Sequence, residues 1–468
     1  MNNTDKKQKG HFVFFGPVNA GKSSMIGYMK THDMSDEDFI RDVNKIKAKI
    51  GKYYRQRRLF SYFVDEAKDE YEKSSDEDHG KTVGTSKYVH IKDTDGYVLV
   101  DTPGGSRYVT QRYKGLSLAN IGVFTIEIQQ LVDLNSYKID GDDKEYIKNM
   151  KEFFCSWFVW QKLHGTKNTI ILLTKYDLCN GKEDFETAKN TLLNIIGKDA
   201  NHTIIPTKIP TNINDRYNDT NVFTPLAEDW YNGQTLIQAI KEKNQSVLRY
   251  ETADKLLMFY NKGYDRPKLG VGNIIKWKVN SGSINIGDKI IIAPVLVNNE
   301  FSKVMVSIKS MQNEKKDVIS CAFAGEIVNT TFSQIIYENK TISKDEIEIL
   351  NTSIITKNID DIKMGDFIIG TIDLNNCTEE EKDVLCNIKI NKQINLLWFG
   401  KMLSPVIISY EKEQEENKII LTLKTENKQV ALPNYFLPKK TLLQFSSSNK
   451  PTLPVNFDYI VSNIFNCL

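Results

Sequence analysis

The stretch HFVFFGPVNAGKSS, residues 11–24, constrains the fold of this chain more than any other. An apolar run is followed by Gly16-Pro17-Val18-Asn19-Ala20-Gly21-Lys22-Ser23, which fits G-x-x-x-x-G-K-[ST], and then by a helix-compatible stretch. The glycines let backbone N–H groups turn inward around phosphates, and the helix N-terminus adds partial positive charge. The pattern predicts a strand, a phosphate-binding loop and a helix, with Ser23 as a Mg²⁺ ligand. A chance glycine turn is the alternative. The expected nucleotide contacts are Asn19, Ala20, Gly21, Lys22, Ser23 and Ser24.

A second motif, Asp101-Thr102-Pro103-Gly104, ends the apolar run GYVLV. An aspartate here can reach Mg²⁺ through a water, and Gly104 can offer its N–H to a γ-phosphate. Taken alone, the four residues are an ordinary turn. After a phosphate-binding loop, they predict the element that senses the third phosphate.

A third motif, Thr174-Lys175-Tyr176-Asp177, closes the apolar run NTIILL. A carboxylate at Asp177 can accept hydrogen bonds from N1–H and the exocyclic amine of guanine, and adenine has neither donor in that arrangement. Each such bond contributes roughly 1.5–3 kcal/mol, which is enough to select GTP over ATP. A charged turn is the alternative for this tetrapeptide alone, but its order after the other motifs favours a GTP site.

The chain has 468 residues, a length typical of roughly two to four domains. Up to about residue 245, apolar runs alternate with helix-compatible stretches, which indicates a mostly parallel sheet covered on both faces. Later runs are short, rich in β-branched residues and separated by turn signals. The predicted fold is an α/β P-loop GTPase domain over residues 1–245, followed by two antiparallel β-barrel domains over residues 246–373 and 374–468.

Two segments of the first domain leave alternatives open. The polar segment 31–78 predicts mostly charged, solvated helix, with a mobile switch region or a contact surface as the alternatives. Its basic part, KIKAKIGKYYRQRR, could bind RNA, with Lys and Arg on phosphates and Tyr stacked on bases. For this part too, a solvated charged helix is the favoured interpretation. The aromatic run FFCSWFVW, residues 153–160, predicts the buried face of a helix, with an exposed docking patch as the alternative.

Composition narrows the function classes. The formal net charge is +2, so an RNA contact must come from local patches and not from overall charge. The 6 cysteines include no C-x-x-C pair, which argues against a zinc site or a disulfide framework. The N-terminus lacks an apolar leader and no run is long enough to cross a bilayer, so we expect a cytoplasmic protein without membrane association.

The motifs together resemble the translational GTPases, and most closely elongation factor 1-alpha, the eukaryotic release-factor GTPase and the ribosome-rescue GTPase. The family loop GHVDAGKST is GPVNAGKSS here, and Gly80-Lys81-Thr82-Val83 is similar to the G-K-T-V of the release-factor GTPase. The run GVGNIIKWKVNSGSINIGDKIIIAP is similar to the family's barrel signature, with Trp277 in place of a glycine. The resemblance implies GTP/GDP and Mg²⁺ as cofactors, with Thr82 as a second Mg²⁺ ligand. In IIPTKIPT it implies a base-contacting loop at Thr207 and Lys208, favoured over Thr211-Asn212.

Three positions depart from the family. Gly105 stands where the family has the histidine that positions the attacking water, and the loop aspartate is Asn19. Thr174 replaces the asparagine of N-K-x-D. Since a glycine cannot orient water or move a proton, no residue is assigned a catalytic role, and hydrolysis is expected to be slower by roughly 10²–10⁴. His79 or Arg107 as a substitute is the alternative.

The resemblance implies a factor that delivers a tRNA, or a tRNA-like release or rescue factor, to the ribosome. An exchange factor is left open as a partner, and we expect a monomer that does not bind DNA. One alternative is a GTP-stabilised adaptor with little turnover. Another is a GTPase outside translation that keeps the same domain order.

Overall fold

The computed structural model describes the part of the chain that carries the three motifs and most of the β structure. It covers residues 11–64, 87–90, 98–104, 115, 121–136, 169–196, 202–210, 216–217, 220–247, 256–263, 275–313, 316–324, 326–358, 363–374, 387, 389–398, 401–413, 418–431, 440–444, 446–447, 450–451 and 455–458. Residues 153–160, 79–83, 105 and 107 lie outside this range, so the expectations placed on them stay predictions. The chain forms two compact units, one within residues 9–249 and the other mainly within residues 250–468.

The first unit contains a six-stranded sheet in the order β2-β3-β1-β4-β5-β6. Strands β3, β1, β4, β5 and β6 run parallel, and β2 pairs antiparallel with β3 at the edge. The inner strands are buried along nearly their whole length, as expected when helices cover both faces. The strands are β1 (His11–Phe15), β2 (Lys87–His90), β3 (Val98–Asp101), β4 (Ile121–Glu127), β5 (Ile170–Thr174) and β6 (Thr203–Thr207).

Five described helices accompany this sheet: α1 (Lys22–Thr31), α2 (Asp36–Ile50), α3 (Ile128–Ser136), α4 (Lys182–Ile196) and α5 (Leu236–Val247). Helix α1 and the sheet share one core that includes Phe12, Phe14, Met25 and Ile26. A Cβ on Gly27 would lie 1.8 Å from the carbonyl oxygen of Phe60, so only glycine permits the backbone of residues 59–64 to pack this closely on α1. None of the described helices is long and apolar enough to span a membrane.

The segment after α1 is helical over only part of the predicted length. Helix α2 begins at the cap residue Ser35, whose hydroxyl accepts from the N–H of Asp38 at 3.2 Å. It ends before Gly51, whose φ of 59° reverses the chain. Residues 51–63 then form three short 3₁₀ turns, and Phe60 and Val64 are buried in the core. The predicted charged helix is therefore confirmed for α2 and wrong for residues 51–64.

The second unit opens with a closed antiparallel barrel. Six strands follow one another in the order β11-β10-β16-β7-β8-β14, and pairing of β11 with β14 closes the ring. Trp277 is fully buried in the barrel core, against the ring of Tyr260, which explains how a large side chain is accommodated at this position. The strands are β7 (Leu257–Gly263), β8 (Ile275–Ser281), β9 (Ser283–Asn285), β10 (Lys289–Val297), β11 (Glu300–Gln312), β12 (Val318–Ile319), β13 (Cys321–Phe323), β14 (Ile327–Tyr337), β15 (Lys340–Ile342) and β16 (Ile347–Thr356).

Further antiparallel sheets follow, in the orders β17-β21-β20, β19-β18-β22-β25 and β23-β24. They fit the second β domain of the predicted fold, which is confirmed as α/β followed by antiparallel β structure. Strand β17 pairs with β21, so its described partner lies beyond residue 374. The domain boundaries at 245/246 and 373/374 stay predictions. The strands are β17 (Lys363–Asp373), β18 (Asn395–Trp398), β19 (Lys401–Leu403), β20 (Val406–Glu413), β21 (Lys418–Ala431), β22 (Lys440–Gln444), β23 (Ser446–Ser447), β24 (Lys450–Pro451) and β25 (Val455–Asp458).

Candidate functional site

The backbone of the loop between β1 and α1 has positive φ angles at Gly16, Asn19 and Gly21. Gly16 has φ of 145°, and a Cβ there would lie 2.0 Å from the carbonyl oxygen of Thr125, so this position requires glycine. Gly21, with φ of 85°, is the residue before α1, and Asn19 adopts φ of 63°, a conformation that asparagine tolerates better than most residues. Residues 19–24 thus form the strand–loop–helix junction that the sequence predicts, with Ala20 fully buried and Ser24 partly buried in the first turn of α1.

Lys22 is 6% exposed, and its ammonium group lies inside this loop. Nζ donates to the carbonyl oxygen of Gly16 at 3.1 Å and to that of Pro17 at 2.6 Å. A positive charge held against the loop backbone, next to the N-terminus of a helix, attracts an anion. The arrangement therefore fits a site for phosphate groups.

The second motif lies against this loop. A Cβ on Gly104 would lie 2.7 Å from the backbone nitrogen of Val18 and 2.8 Å from Nζ of Lys22. The preceding turn is fixed because the Thr102 hydroxyl donates to the carbonyl oxygen of Phe14 at 2.8 Å. The structure thus brings Gly104 beside the phosphate loop, as the order of motifs predicts.

Ser23 and Asp101 supply two oxygens at the same point. The Ser23 hydroxyl donates to Oδ2 of Asp101 at 2.6 Å, and Asp101 is 8% exposed. Hydroxyl and carboxylate oxygens are the donors that Mg²⁺ prefers, and such sites take their remaining ligands from phosphates and water. No group of three or more His, Cys, Asp or Glu side chains in the described residues could hold a metal. The Ser23 hydroxyl and the Asp101 carboxylate therefore fit Mg²⁺. Thr82, the expected second Mg²⁺ ligand, lies outside the described residues.

The third motif follows β5 at the same edge of the sheet. The hydroxyl of Thr174, which is 1% exposed, lies 3.0 Å from the carbonyl oxygen of Ala20 and 3.2 Å from that of Ile126. It therefore ties the phosphate loop to β5 and β4. Lys175 has φ of 59°, and its Nζ forms an ion pair with Oε2 of Glu127 at 2.7 Å. Asp177 is exposed on the 3₁₀ turn Tyr176–Leu178, so its carboxylate is accessible to the base of a nucleotide.

The loop after β6 lies beside this turn. Thr207 is fully buried at the end of β6, and Nζ of Lys208 lies 5.3 Å from the centre of the Tyr176 ring. Burial raises the pKa of Tyr176, with a hydrogen bond from Lys208 acting in the opposite direction. A Cβ on Gly21 would contact Ile209 at 3.9 Å and Thr174 at 4.0 Å, so the phosphate loop and both predicted base loops meet at one place.

Two neighbouring residues add to this picture. Glu127 was not predicted as part of the site; an acidic residue at the end of the apolar run NIGVFTIE, on the same sheet edge as Thr174, was the available signal. Cys179 follows the third motif, and burial raises the pKa of its thiol to about 11, with nearby Asp184 adding to the effect. Burial therefore favours the protonated form of this thiol at neutral pH.

Curated relatives match this chain over about two thirds of its length. The chain is 25% identical over 325 residues to the eukaryotic peptide chain release factor GTP-binding subunit of Debaryomyces hansenii, covering 68% of this chain and 41% of that protein. It is 23% identical over 299 residues to elongation factor 1-alpha of Sulfolobus acidocaldarius, covering 62% of each. The chain thus spans about two fifths of the length of the release-factor relatives it matches.

Solved structures share the fold at lower identity. The GTPase-like domain of Ski7 from S. cerevisiae, bound to GDP and inorganic phosphate, matches with a TM-score of 0.70 and 16% identity over 97% of both chains. A bacterial selenocysteine-specific elongation factor, EF-Sec, matches with a TM-score of 0.56 and 14% identity over 97% of this chain and 58% of that one. The family model described as the elongation factor Tu GTP binding domain matches residues 7–336, which is more than half of the chain. The chain is a divergent member of this family, the translational GTPases.

Proposed function

We propose that this translational GTPase delivers a tRNA, or a tRNA-shaped release or rescue factor, to the ribosome, and that its GTP hydrolysis is slow. The observation that carries the nucleotide-binding part of the proposal is the cluster of Lys22, Ser23, Asp101 and Gly104 around the phosphate loop. A buried ammonium, a hydroxyl–carboxylate pair and a glycine in contact with the loop are what a triphosphate with Mg²⁺ requires. Guanine nucleotides bind at this site.

Each part of the cluster has a separate task. Lys22 and the loop backbone hold and neutralise the β- and γ-phosphates. Ser23 and Asp101 would hold Mg²⁺, which when bound would draw charge from the phosphate oxygens. Gly104 places its backbone against the third phosphate, so the presence of that phosphate is transmitted to the residues that follow. Asp177 selects guanine.

Gly105 is the reason that slow hydrolysis is expected. Glycine has only a hydrogen atom as its side chain, so at the position of the family's histidine it leaves the attacking water without a group that orients it. Lys22 and the loop backbone still stabilise negative charge on the γ-phosphate, so residual hydrolysis is expected. The rate should therefore be measurable but low.

The names of the curated relatives support the proposed cargo. Two of them are named as a release factor subunit and as an elongation factor, and the G-K-T-V form of residues 80–83 favours a release or rescue factor over aminoacyl-tRNA. We propose a monomer in the cytoplasm that uses nucleotide state to control its contacts with cargo and ribosome.

A GTP-stabilised adaptor is the second candidate, and Gly105 is the observation that favours it. In that case nucleotide holds the fold, and the β domains recruit a partner with little turnover. The pair Ser23–Asp101 fits Mg²⁺-dependent nucleotide binding under both candidates, so the measured rate of turnover decides between them.

The proposal is tested by single-turnover GTP hydrolysis with and without ribosomes. We expect a slow rate, and we expect Gly105→His to accelerate it while Gly105→Ala does not. A ribosome-stimulated rate like that of an ordinary elongation factor would refute slow hydrolysis.

The cargo is tested by a pull-down with GTP and with a non-hydrolysable analogue, scored for tRNA and for a release-factor-like protein. Capture of either in a nucleotide-dependent manner supports delivery. The adaptor is favoured if neither is captured and another co-purified protein binds equally well in the GTP and GDP states.

A further inference from the structure

The carboxyl ends of β4 and β5 carry an ion pair that the three sequence motifs do not explain. Glu127 is the last residue of β4 and Lys175 directly follows β5. Nζ of Lys175 donates to Oε2 of Glu127 at 2.7 Å, with the two side chains 37% and 19% exposed. Water therefore screens this pair less than it screens a fully exposed one. Lys175 belongs to the third motif, whereas Glu127 belongs to none of the three.

The pair lies next to the phosphate loop. Glu127 is opposite Thr174 in the parallel pairing of β4 with β5. The Thr174 hydroxyl lies 3.0 Å from the carbonyl oxygen of Ala20 in that loop. A carboxylate this close to a site for phosphates repels them and weakens nucleotide binding. Glu127 is therefore unfavourable for the phosphates themselves, and its ion pair shows which neighbour it serves.

Lys175 has a backbone conformation that its surroundings must hold in place. Its φ of 59° lies in the left-handed region, which a lysine adopts rarely. Its carbonyl oxygen accepts from the N–H of Leu178 at 3.0 Å, which closes the turn Tyr176–Leu178. Residues strained in this way persist at ligand-binding sites, where the contacts around them maintain the conformation. The ion pair with Glu127 is such a contact.

The turn that follows Lys175 presents Asp177, which is exposed. The residue between them, Tyr176, is 6% exposed, and Nζ of Lys208 lies 5.3 Å from the centre of its ring. The two residues that precede Asp177 are thus each held by a residue from another strand end. A carboxylate on a turn that is fixed in advance loses less conformational entropy when it binds a base.

We propose that Glu127 is a positioning residue for guanine recognition, because it holds Lys175 and, through Lys175, the turn that presents Asp177. The inference deepens the proposed function and rests on it for guanine as the ligand. Loss of the Glu127 carboxylate loosens the turn and so weakens contacts with the base. It also removes a repulsion of the phosphates and leaves the Lys175 charge without this partner, so binding of the phosphates is maintained or strengthened. A residue that only supported the fold would weaken both.

The test is equilibrium binding of GTP and of inorganic tripolyphosphate, both with Mg²⁺, to the full chain and to Glu127→Gln. Tripolyphosphate offers the phosphates without a base. GTP affinity should fall about tenfold, since a charge-assisted hydrogen bond that fixes the turn is lost. Tripolyphosphate affinity should not fall. The matched control is Glu186→Gln in α4, which removes the acidic partner of Lys189, a lysine 37% exposed like Lys175. It should bind both ligands like the original chain.

A double variant tests whether Glu127 acts through Lys175. Glu127→Gln introduced into Lys175→Gln should cause no further loss of GTP affinity, because the contact is already absent. A further loss of about tenfold would overturn the proposal. Unchanged GTP affinity in Glu127→Gln, or an equal loss for GTP and tripolyphosphate, would overturn it as well.

A measurement on the unaltered chain keeps the proposal testable if the variants misfold. A carbodiimide joins a carboxylate directly to an amine in contact with it, so it should link Glu127 to Lys175, as detected by mass spectrometry. The yield of this link should be no lower with GTP than with tripolyphosphate. Its loss on addition of GTP would contradict the proposal, because Glu127 would then not hold Lys175 in the bound state. The link between Glu186 and Lys189 is the reference for the reagent.

Failure of this inference differs from failure of the proposed function. If the original chain binds GTP no more tightly than tripolyphosphate, it does not recognise guanine, and the proposed function fails together with the role of Glu127. If the original chain prefers GTP and Glu127→Gln keeps the same preference, only the role of Glu127 is wrong.

Discussion

The hydroxyl of Ser23 donates a 2.6 Å hydrogen bond to Oδ2 of Asp101, a residue 78 positions later in the chain. The bond joins the first turn of α1 to the end of β3, so two oxygens suited to a divalent cation are held together by the fold itself. Asp101 is 8% exposed, and its charge is therefore little screened by water. Substitutions at Ser23 or Asp101 should change the Mg²⁺ dependence of nucleotide binding more than they change the stability of the fold.

The first prediction concerns Ser23→Ala. Removing the hydroxyl deletes one oxygen donor and leaves the Asp101 carboxylate without this hydrogen bond, at a cost of about 1–3 kcal/mol. GTP affinity measured with Mg²⁺ should fall about tenfold, while affinity measured in EDTA should change little. Ser23→Thr keeps the hydroxyl and should retain the Mg²⁺ effect. Equal losses with and without Mg²⁺ would show that Ser23 acts on the loop and not on the metal.

The second prediction concerns Gly104→Ala. The new Cβ would lie 2.7 Å from the backbone nitrogen of Val18, and that backbone cannot move aside as a side chain could. Overpacking of this kind costs about 1–3 kcal/mol, so GTP affinity should fall about tenfold or more. The control is Gly51→Ala, where nothing lies within 4 Å and φ is 59°. It should lower stability slightly and leave GTP affinity unchanged, as measured by equilibrium titration.

Features carried by contiguous residues could be predicted from the sequence. Strands β1 and β5 fall where the apolar runs HFVFF and NTIILL predict them, and the phosphate loop lies between β1 and α1. The end of α2 also has a local signal: Gly51 follows a helical stretch and caps it with an N–H bond to the carbonyl oxygen of Lys47.

Contacts between distant segments could not be predicted in the same way. The ion pair Lys175–Glu127 and the close approach of Gly27 to Phe60 each depend on which two elements the fold places side by side. A local pattern shows that a residue is small, charged or apolar, but it does not identify the partner. The residues that connect the motifs to one another are therefore visible only in the structure.

The third prediction concerns Asp177→Asn. Guanine offers N1–H and an amine to the carboxylate, and charge-assisted bonds contribute about 1.5–3 kcal/mol each. GTP affinity should therefore fall about 100-fold. Xanthine has a carbonyl in place of the amine, and an amide can donate to it, so affinity for xanthosine triphosphate should rise. Asp229→Asn, at an exposed position of the same unit, is the control. Unchanged selectivity would remove Asp177 from the base site.

The last prediction starts from Arg216, which is 1% exposed although it carries a charge. Its Nη2 donates to the carbonyl oxygens of Thr31, His32 (2.9 Å) and Met34 (2.6 Å), where α1 ends. The guanidinium also lies 4.4 Å from the centre of the Phe39 ring in α2. One side chain thus donates to carbonyl oxygens at and just after the end of α1 and joins α1 to α2.

Replacing this side chain should destabilise the first unit far more than replacing an exposed arginine. Arg216→Met removes the donor to the part-buried carbonyl oxygens of His32 and Met34 and the contact with Phe39, and should cost about 3 kcal/mol. Arg41→Met removes a surface ion pair with Asp38 and should cost no more than about 1 kcal/mol. Urea unfolding measures both, scored on the transition that GTP shifts to higher urea, because a ligand stabilises only the unit that binds it. Equal shifts for the two variants would mean that Arg216 does not hold α1 and α2 together.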